Sequence, residues 1–174
     1  IDYWREAWLA RELLPLLVDD LRASAPLFGL GHTRFATHGD SSNADNLHPH
    51  PYSRDDGAGA ITHNGVLWDH ERTAVDHGVD LVGECDSELF ARLIEADADD
   101  DLLARVRHSI EACDPCDDIA LAVGEVTDDG RHRIVLAARG NPLHYTIHRS
   151  TLWWASTPAA LPGHDSRRLP ERAM

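Results

Sequence analysis

The sequence contains no lysine, and all 16 of its basic residues are arginine. This absence excludes a phosphate-binding P-loop lysine and a lysine that forms Schiff bases. Only three cysteines occur, which are too few for a disulfide scaffold and favour a reducing, cytoplasmic compartment. Apolar runs of membrane-spanning length and a secretory signal peptide are also missing from the sequence as given, so we expect no association with a membrane.

Basic residues are scarce relative to acidic ones. Sixteen arginines face 30 acidic residues, which gives a net charge of -14. Without a basic cluster the chain is poorly suited to contact a phosphate backbone, and we expect no nucleic-acid partner. The Asp-rich, lysine-free composition is typical of a salt-adapted source and indicates a halophilic, acidic protein. The 174 residues, 43% of them hydrophobic, predict a single globular domain over 1–174.

Hydrophobic periodicity predicts an α+β fold. Apolar stripes at helical spacing predict helices over 4–23, 68–76, 86–96 and 102–112. Short apolar runs predict strands over 27–35, 59–63, 119–126, 133–138, 143–148 and 151–155. Residues 39–58 are rich in Asp, Ser, Asn, Pro and Gly and predict a long loop. Because short turns join the last four strands, we expect them to pair antiparallel beside a helical layer.

Residues 31–39 form the first candidate functional segment, a strand that ends in a polar turn. Arg34 lies within it, and a buried guanidinium requires a partner. That partner is either an internal acidic side chain or the carboxylate of a ligand, which a guanidinium holds with two parallel hydrogen bonds. The residues alone leave both alternatives open.

Two further segments each allow a structural and a functional interpretation. Asn64-Gly65 is either a hairpin turn or an oxyanion hole, in which an amide and a backbone N–H converge on one oxygen. Asp86 is either the N-cap of a helix or a carboxylate for a ligand ammonium group. Cys113 and Cys116 have the spacing of metal ligands, but no second pair accompanies them, so we expect neither a metal nor a cofactor.

Taken together and in order, six segments resemble the class II glutamine amidotransferases, whose glutaminase domain is found, for example, in glucosamine-6-phosphate synthase. The segments are 31–39, 46–50, 63–65, 86–88, 139–143 and 155–161. The resemblance implies a four-layer αββα sandwich of the N-terminal-nucleophile hydrolase type, with two antiparallel sheets between helical layers. The first strands of that fold have no counterpart in the sequence as given, so we expect a single domain that is incomplete at both ends.

The resemblance also implies a pocket for L-glutamine. Arg34 corresponds to the residue that binds the α-carboxylate, and Asp86 to the residue that binds the α-ammonium group. Thr37 and His38 correspond to residues that line the pocket. Phe35 stands where the family usually has tryptophan, so an aromatic ring is retained and the shape of the pocket changes slightly.

For the chemistry, the resemblance implies that Asn64 and Gly65 form the oxyanion hole. The family's nucleophile is an N-terminal cysteine whose own α-amino group is the base. The sequence as given begins with Ile1 and has no cysteine before Cys85, so as given it lacks the nucleophile and is an enzyme only if a cysteine precedes Ile1. The α-amino group of Cys85 is in a peptide bond, and we do not assign it this role.

These features together predict a glutaminase-type domain that converts L-glutamine to glutamate and ammonia. An ammonia-acceptor synthase subunit or a larger assembly is the expected partner. The alternative is a catalytically silent relative with a structural or interaction role in such an assembly. The acceptor, the pathway and the oligomeric state do not follow from the sequence.

Overall fold

A computed structural model describes residues 28–33, 39–40 and 42–171. The helices are α1 (His70–His77), α2 (Glu88–Ala96) and α3 (Leu102–Glu111). The strands are β1 (His50–Arg54), β2 (Gly57–Val66), β3 (Asp118–Thr127), β4 (His132–Arg139), β5 (His144–His148), β6 (Thr151–Ala155) and β7 (Arg167–Arg168). Single 3-10 turns lie at Ala44–Asn46 and Pro158–Ala160. Two antiparallel sheets and three helices confirm the predicted α+β class.

Strands β1 to β4 form one antiparallel sheet in chain order. Ile61 pairs with Val123, and Val123 pairs with Val135, so these three side chains lie on one face of the sheet. Alternate residues of β3 therefore point to the same side, and the apolar ones among them enter the core. This face positions β2, and its last residues reach the candidate site.

Helices α2 and α3 cover that face of the sheet. Leu89, Phe90 and Ile94 are fully buried from α2, and Leu102 and Val106 are almost fully buried from α3. Their i, i+1, i+4 and i+5 spacing places them on one side of each helix, which is why the sequence predicts these helices well. The core thus lies between the helices and the four-stranded sheet, and it fixes the start of α2 beside the end of β2.

A buried ion pair crosses this core. A guanidinium nitrogen of Arg105 donates to the carboxylate of Glu125, and both side chains are almost completely inaccessible to solvent. The hydroxyl of Tyr52 donates to the same carboxylate at 3.1 Å, and burial beside this anion raises the pKa of Tyr52. The guanidinium of Arg133 lies 3.6 Å from the other carboxylate oxygen, so two arginines and one hydroxyl group compensate the buried charge of Glu125.

Strands β5, β6 and β7 form a second sheet in the order β6-β5-β7. Tyr145 pairs with Trp154 across β5 and β6. Ile147 and Trp153 are exposed on this sheet, at 73% and 46% of their surface. In the described part of the chain, no helix has the length and apolar character needed to cross a bilayer.

Several parts of the structure differ from the sequence-based expectations, and strand β7 was not among the predicted strands. Residues 28–33 are not in a strand, although the pattern predicts one over 27–35. The expected long loop over 39–58 contains β1, which pairs with β2 from His50 to Arg54. The hairpin-turn interpretation of Asn64-Gly65 is wrong, because β2 continues to Val66 and stays paired with β3. The predicted helix over 4–23 lies outside the described residues.

Candidate functional site

A half-open cavity of about 270 Å³ lies where the end of β2 meets the start of α2. Its described wall consists of residues 32–33, 63–66 and 85–87, with His48 and Asn141. The cavity thus brings together Asn64, Gly65 and Asp86, which the sequence predicts for one site. The other predicted site residues, Arg34, Phe35, Thr37 and His38, lie outside the described residues.

Asp86 is a buried carboxylate in the wall of this cavity. Its side chain is 3% exposed, and Oδ2 accepts a hydrogen bond of 2.8 Å from the backbone N–H of Leu67. The other oxygen, Oδ1, lies 3.8 Å from the thiol of Cys85. Asp86 forms no ion pair with any residue that the structure describes. Among the described residues this buried carboxylate has neutral contacts alone, and a cation in the cavity would stabilise its anion.

The N-cap interpretation of Asp86 is wrong in this structure. Helix α2 begins at Glu88, and the residue in the N-cap position is Ser87. The carboxylate of Asp86 instead bonds to the segment that follows β2, through Leu67. The carboxylate of Asp86 therefore lies in the cavity wall and does not cap the N-terminus of α2.

Glu88 fixes the segment that carries Asp86. Its carboxylate accepts hydrogen bonds from the backbone N–H groups of Val82 at 3.1 Å and Gly83 at 2.8 Å. It also pairs with Arg92 one turn along α2, at 3.2 Å. The two buried acidic residues at this helix start thus differ. Among the described residues, Glu88 has a cation and two backbone donors, whereas Asp86 has one backbone donor, the Cys85 thiol and the cavity.

Asn64 and Gly65 lie on the cavity at the end of β2. The side chain of Asn64 is exposed and makes no hydrogen bond with the described residues, while its carbonyl oxygen accepts from the Asn141 side-chain amide at 3.0 Å. Gly65 passes directly over β3, and an added Cβ would lie 1.8 Å from the carbonyl oxygen of Asp118. Only glycine permits this close approach of two backbones. An amide donor and a glycine thus stand side by side in the cavity wall.

His63 is buried between β2 and α2. Its Nδ1 lies 2.9 Å from the hydroxyl of Ser87, and its Nε2 lies 3.3 Å from the carbonyl oxygen of Asp118. Its ring packs edge-on against Phe90, with centroids 5.1 Å apart. Burial lowers the pKa of His63 to about 4, although the nearby Asp86 opposes this shift. The imidazole is therefore neutral at physiological pH.

Three buried side chains near the cavity are of metal-ligating types. The candidate ligand atoms of His48, His50 and Cys85 lie within 4.8 Å of one another. However, the backbone N–H of His63 donates to Nδ1 of His48 at 3.4 Å, which places the proton of a neutral ring on Nε2, 4.0 Å from the Cys85 sulfur. This pattern favours a hydrogen-bond donor over a metal ligand.

Cys113 and Cys116 also give no sign of a metal centre. Cys113 is buried and its thiol donates to the Ser109 carbonyl oxygen at 3.3 Å, whereas Cys116 is exposed. Burial raises the pKa of Cys113 to about 12. Among the described residues, neither thiol belongs to a group of three metal-ligating side chains. The absence of a metal here stays a prediction.

Sequence reasoning missed several residues of the cavity wall. It assigned no role to His48, His63, Ser87 or Asn141, although each lies in or beside a segment that carries the family resemblance. Of these four residues, Asn141 has the clearest sequence signal, because it follows a predicted strand and precedes a proline, as a residue in a turn does. Its contact with Asn64 spans 77 residues and leaves no local pattern.

Comparison with known proteins finds sequence relatives that are named as glutamine-using aminotransferases. The chain is 32% identical over 136 residues to glutamine–fructose-6-phosphate aminotransferase (isomerizing) of Haemophilus influenzae. The aligned region covers 72% of this chain and 20% of that protein. The corresponding protein of Idiomarina loihiensis is 35% identical over 122 residues, 66% of this chain and 18% of that protein. The chain thus spans about a fifth of the length of these curated relatives. No protein-family model matches it.

A solved structure shows the same fold. The chain superposes on glutamine phosphoribosylpyrophosphate amidotransferase of B. subtilis, in complex with ADP and GMP, with a TM-score of 0.55 and 21% identity. The match covers 72% of this chain and 26% of that one. Together with the sequence relatives, this confirms both the resemblance to the class II glutamine amidotransferases and the predicted fold of the N-terminal-nucleophile hydrolase type.

Proposed function

We propose that this chain, a domain of the glutamine amidotransferase type, binds L-glutamine and cleaves its side-chain amide to give glutamate and ammonia. The observation that supports this proposal most directly is the buried carboxylate of Asp86. It lacks an ion pair with any described residue and lies in the same cavity wall as Asn64 and Gly65. A ligand with an ammonium group near a carboxamide suits both ends of this wall.

In this proposal the substrate is held by its amino-acid end. The carboxylate of Asp86 pairs with the α-ammonium group, and the guanidinium of Arg34 binds the α-carboxylate with two parallel hydrogen bonds. Phe35, Thr37 and His38 complete the pocket around the substrate. Because two opposite charges are clamped separately, a free amino acid fits better than a peptide, in which both groups are neutral amides.

The reacting amide then lies against the end of β2. The nucleophile is the thiol of an N-terminal cysteine of the intact protein, whose α-amino group accepts the thiol proton. Attack on the amide carbon forms a tetrahedral oxyanion, which the side-chain amide of Asn64 and the backbone N–H of Gly65 stabilise. The carbon–nitrogen bond breaks, ammonia leaves with the transferred proton, and water hydrolyses the thioester to glutamate. Cys85 is not this nucleophile, because it is 1% exposed and its amino group is acylated.

Ammonia leaves the domain for an acceptor. The curated relatives are about five times longer than the matched region. We therefore propose that an acceptor synthase, on another part of the protein or on another subunit, consumes the ammonia.

Calorimetric titration with L-glutamine tests the binding. We expect Asp86→Asn to weaken the binding of glutamine about tenfold or more, because it removes one charge of a desolvated pair. The Asn side-chain oxygen still accepts from Leu67 N–H, so the fold is retained. The desamino analogue, glutaric acid monoamide, should bind the wild type and Asp86→Asn equally well. Arg34→Ala should weaken both ligands, and the exposed Asp55→Asn is the matched control.

Release of glutamate and ammonia by the intact protein tests the cleavage. Asn64→Ala should lower kcat roughly 10²-fold, as removal of one oxyanion donor does in other amide hydrolases. No binding of glutamine to the wild type at millimolar concentration would exclude the proposal. Tight binding without release of ammonia would favour the catalytically silent, structural alternative.

A further inference from the structure

The geometry points to His63 as a positioning residue that fixes the oxyanion side of the cavity relative to the ammonium side. This inference rests on the proposed function of the same cavity. His63 is 2% exposed and does not need to touch the substrate. It acts through its two ring nitrogens: Nδ1 contacts Ser87 in the cavity wall, and Nε2 contacts Asp118 on β3, the strand that pairs with β2 behind the wall.

The contacts of the ring determine its tautomer. Nε2 lies 3.3 Å from the carbonyl oxygen of Asp118, which can only accept, so Nε2 carries the proton. The ring is neutral, and Nδ1 is therefore left with a lone pair. The hydroxyl of Ser87, 2.9 Å away, must then donate to Nδ1. The hydrogen bonds run in one direction, from Ser87 through His63 to Asp118.

Each end of this chain of hydrogen bonds holds one of the proposed functional groups. The Asp118 carbonyl is the atom that Gly65 passes most closely, at the end of the β2–β3 ladder. Ser87 directly follows Asp86 and occupies the N-cap position of α2 without a capping bond from its side chain. Its hydroxyl is thus free to bond to His63. One rigid ring therefore links the strand that carries the oxyanion donors to the turn that carries the ammonium clamp.

Two substitutions at this position separate the links. The amide nitrogen of His63→Gln extends from the backbone about as far as Nε2 of the imidazole, so it can still donate to Asp118 but offers nothing at the position of Nδ1. The amide oxygen of His63→Asn lies about where Nδ1 does, so it can still accept from Ser87 but does not reach Asp118. Ser87→Ala removes the first link without a change in the ring.

The kinetic parameters of the intact protein should divide accordingly. His63→Gln and Ser87→Ala loosen the Asp86 side, and we expect KM for glutamine to rise about tenfold with little change in kcat. His63→Asn loosens the strand beside Gly65, and we expect kcat to fall about tenfold or more with little change in KM. His77→Gln and His77→Asn, on the exposed last turn of α1, are the matched controls and should change neither.

A spectroscopic measurement keeps the inference testable if a variant fails to fold. Long-range 15N–1H correlation spectra of the wild-type protein should show His63 neutral and protonated at Nε2 near pH 7. The opposite tautomer would overturn the inference without an activity assay. The same fall in kcat and the same rise in KM in both His63→Gln and His63→Asn would also overturn it, because they indicate a purely structural role. A wild type that does not turn over glutamine would instead refute the proposed function.

Discussion

Gly65 crosses the backbone of Asp118 so closely that the two residues leave no room for a single methyl group between them. An added Cβ would lie 1.8 Å from the Asp118 carbonyl oxygen and 2.8 Å from its carbon. Both atoms belong to the backbone of a paired strand, which cannot move without breaking the β2–β3 ladder. The glycine is therefore a requirement of the sheet as well as of the proposed oxyanion hole.

We accordingly expect Gly65→Ala to destabilise the protein by about 3 kcal/mol or more, since the clash forces two strands apart. Urea unfolding followed by circular dichroism measures this loss. Gly29→Ala is the matched control, because an added Cβ there meets nothing within 4 Å, and it should leave stability almost unchanged. Equal midpoints for the two variants would contradict the close approach at Gly65.

The buried ion pair in the core predicts strongly non-additive effects. Arg105→Met leaves the buried carboxylate of Glu125 with the more distant guanidinium of Arg133, 3.6 Å away, and should cost about 3 kcal/mol. Glu125→Met alone leaves the guanidinium of Arg105 buried without its carboxylate partner and should destabilise the protein similarly. The double change Arg105→Met with Glu125→Met should cost less than the sum, since neither charge remains. Unfolding free energies of all four proteins give the coupling, and purely additive losses would contradict the pairing.

The neutral, buried His63 predicts a loss of stability in acid. Its pKa is about 4 in the folded protein and about 6.5 in the unfolded chain. Between these values the unfolded chain binds more protons, so its contribution to stability is complete above pH 6.5 and declines as the pH falls to 4. His63→Gln removes this contribution. The difference in unfolding free energy between wild type and His63→Gln should therefore be constant above pH 6.5 and should shrink below it, by up to a few kcal/mol.

The net charge of -14 predicts that the folded state is stabilised by salt. Among the described residues, Asp99, Asp100 and Asp101 form an exposed run before α3. At molar ionic strength the Debye length is about 3 Å, so repulsion between such groups is largely screened. The thermal midpoint should rise with potassium chloride concentration. A flat or falling curve would show that self-repulsion does not limit stability.

The sequence predicted the elements whose pattern is local. Helix α2 and strand β3 carry regular apolar spacing, and both were found within two residues of their expected bounds. Strand β1 was missed because its residues, such as Pro51 and Ser53, are typical of loops, and only pairing with β2 makes it a strand. Strand pairing also explains why Asn64-Gly65 does not form the expected turn, since both residues stay paired with β3.

The candidate site was predictable only in part for a similar reason. The family resemblance named Asn64, Gly65 and Asp86, and the structure brings these three into one cavity. What the sequence could not supply is the partner of each group. The bond from Leu67 to Asp86 joins a backbone N–H to a carboxylate across 19 residues, and no pattern of residue types records it. The structure excludes the N-cap interpretation of Asp86, whereas its role as a clamp for an ammonium group stays a prediction.

The walls of the cavity come from distant parts of the chain, and this determines when the cavity exists during biosynthesis. The bond from His63 to Asp118 closes a separation of 55 residues, and the bond from Asn141 to Asn64 closes one of 77. A nascent chain that has emerged only as far as α3 lacks both contacts. We therefore expect the proposed binding of glutamine to begin only after residue 141 has left the ribosome, and a glutamine-binding signal on stalled nascent chains of increasing length would test this.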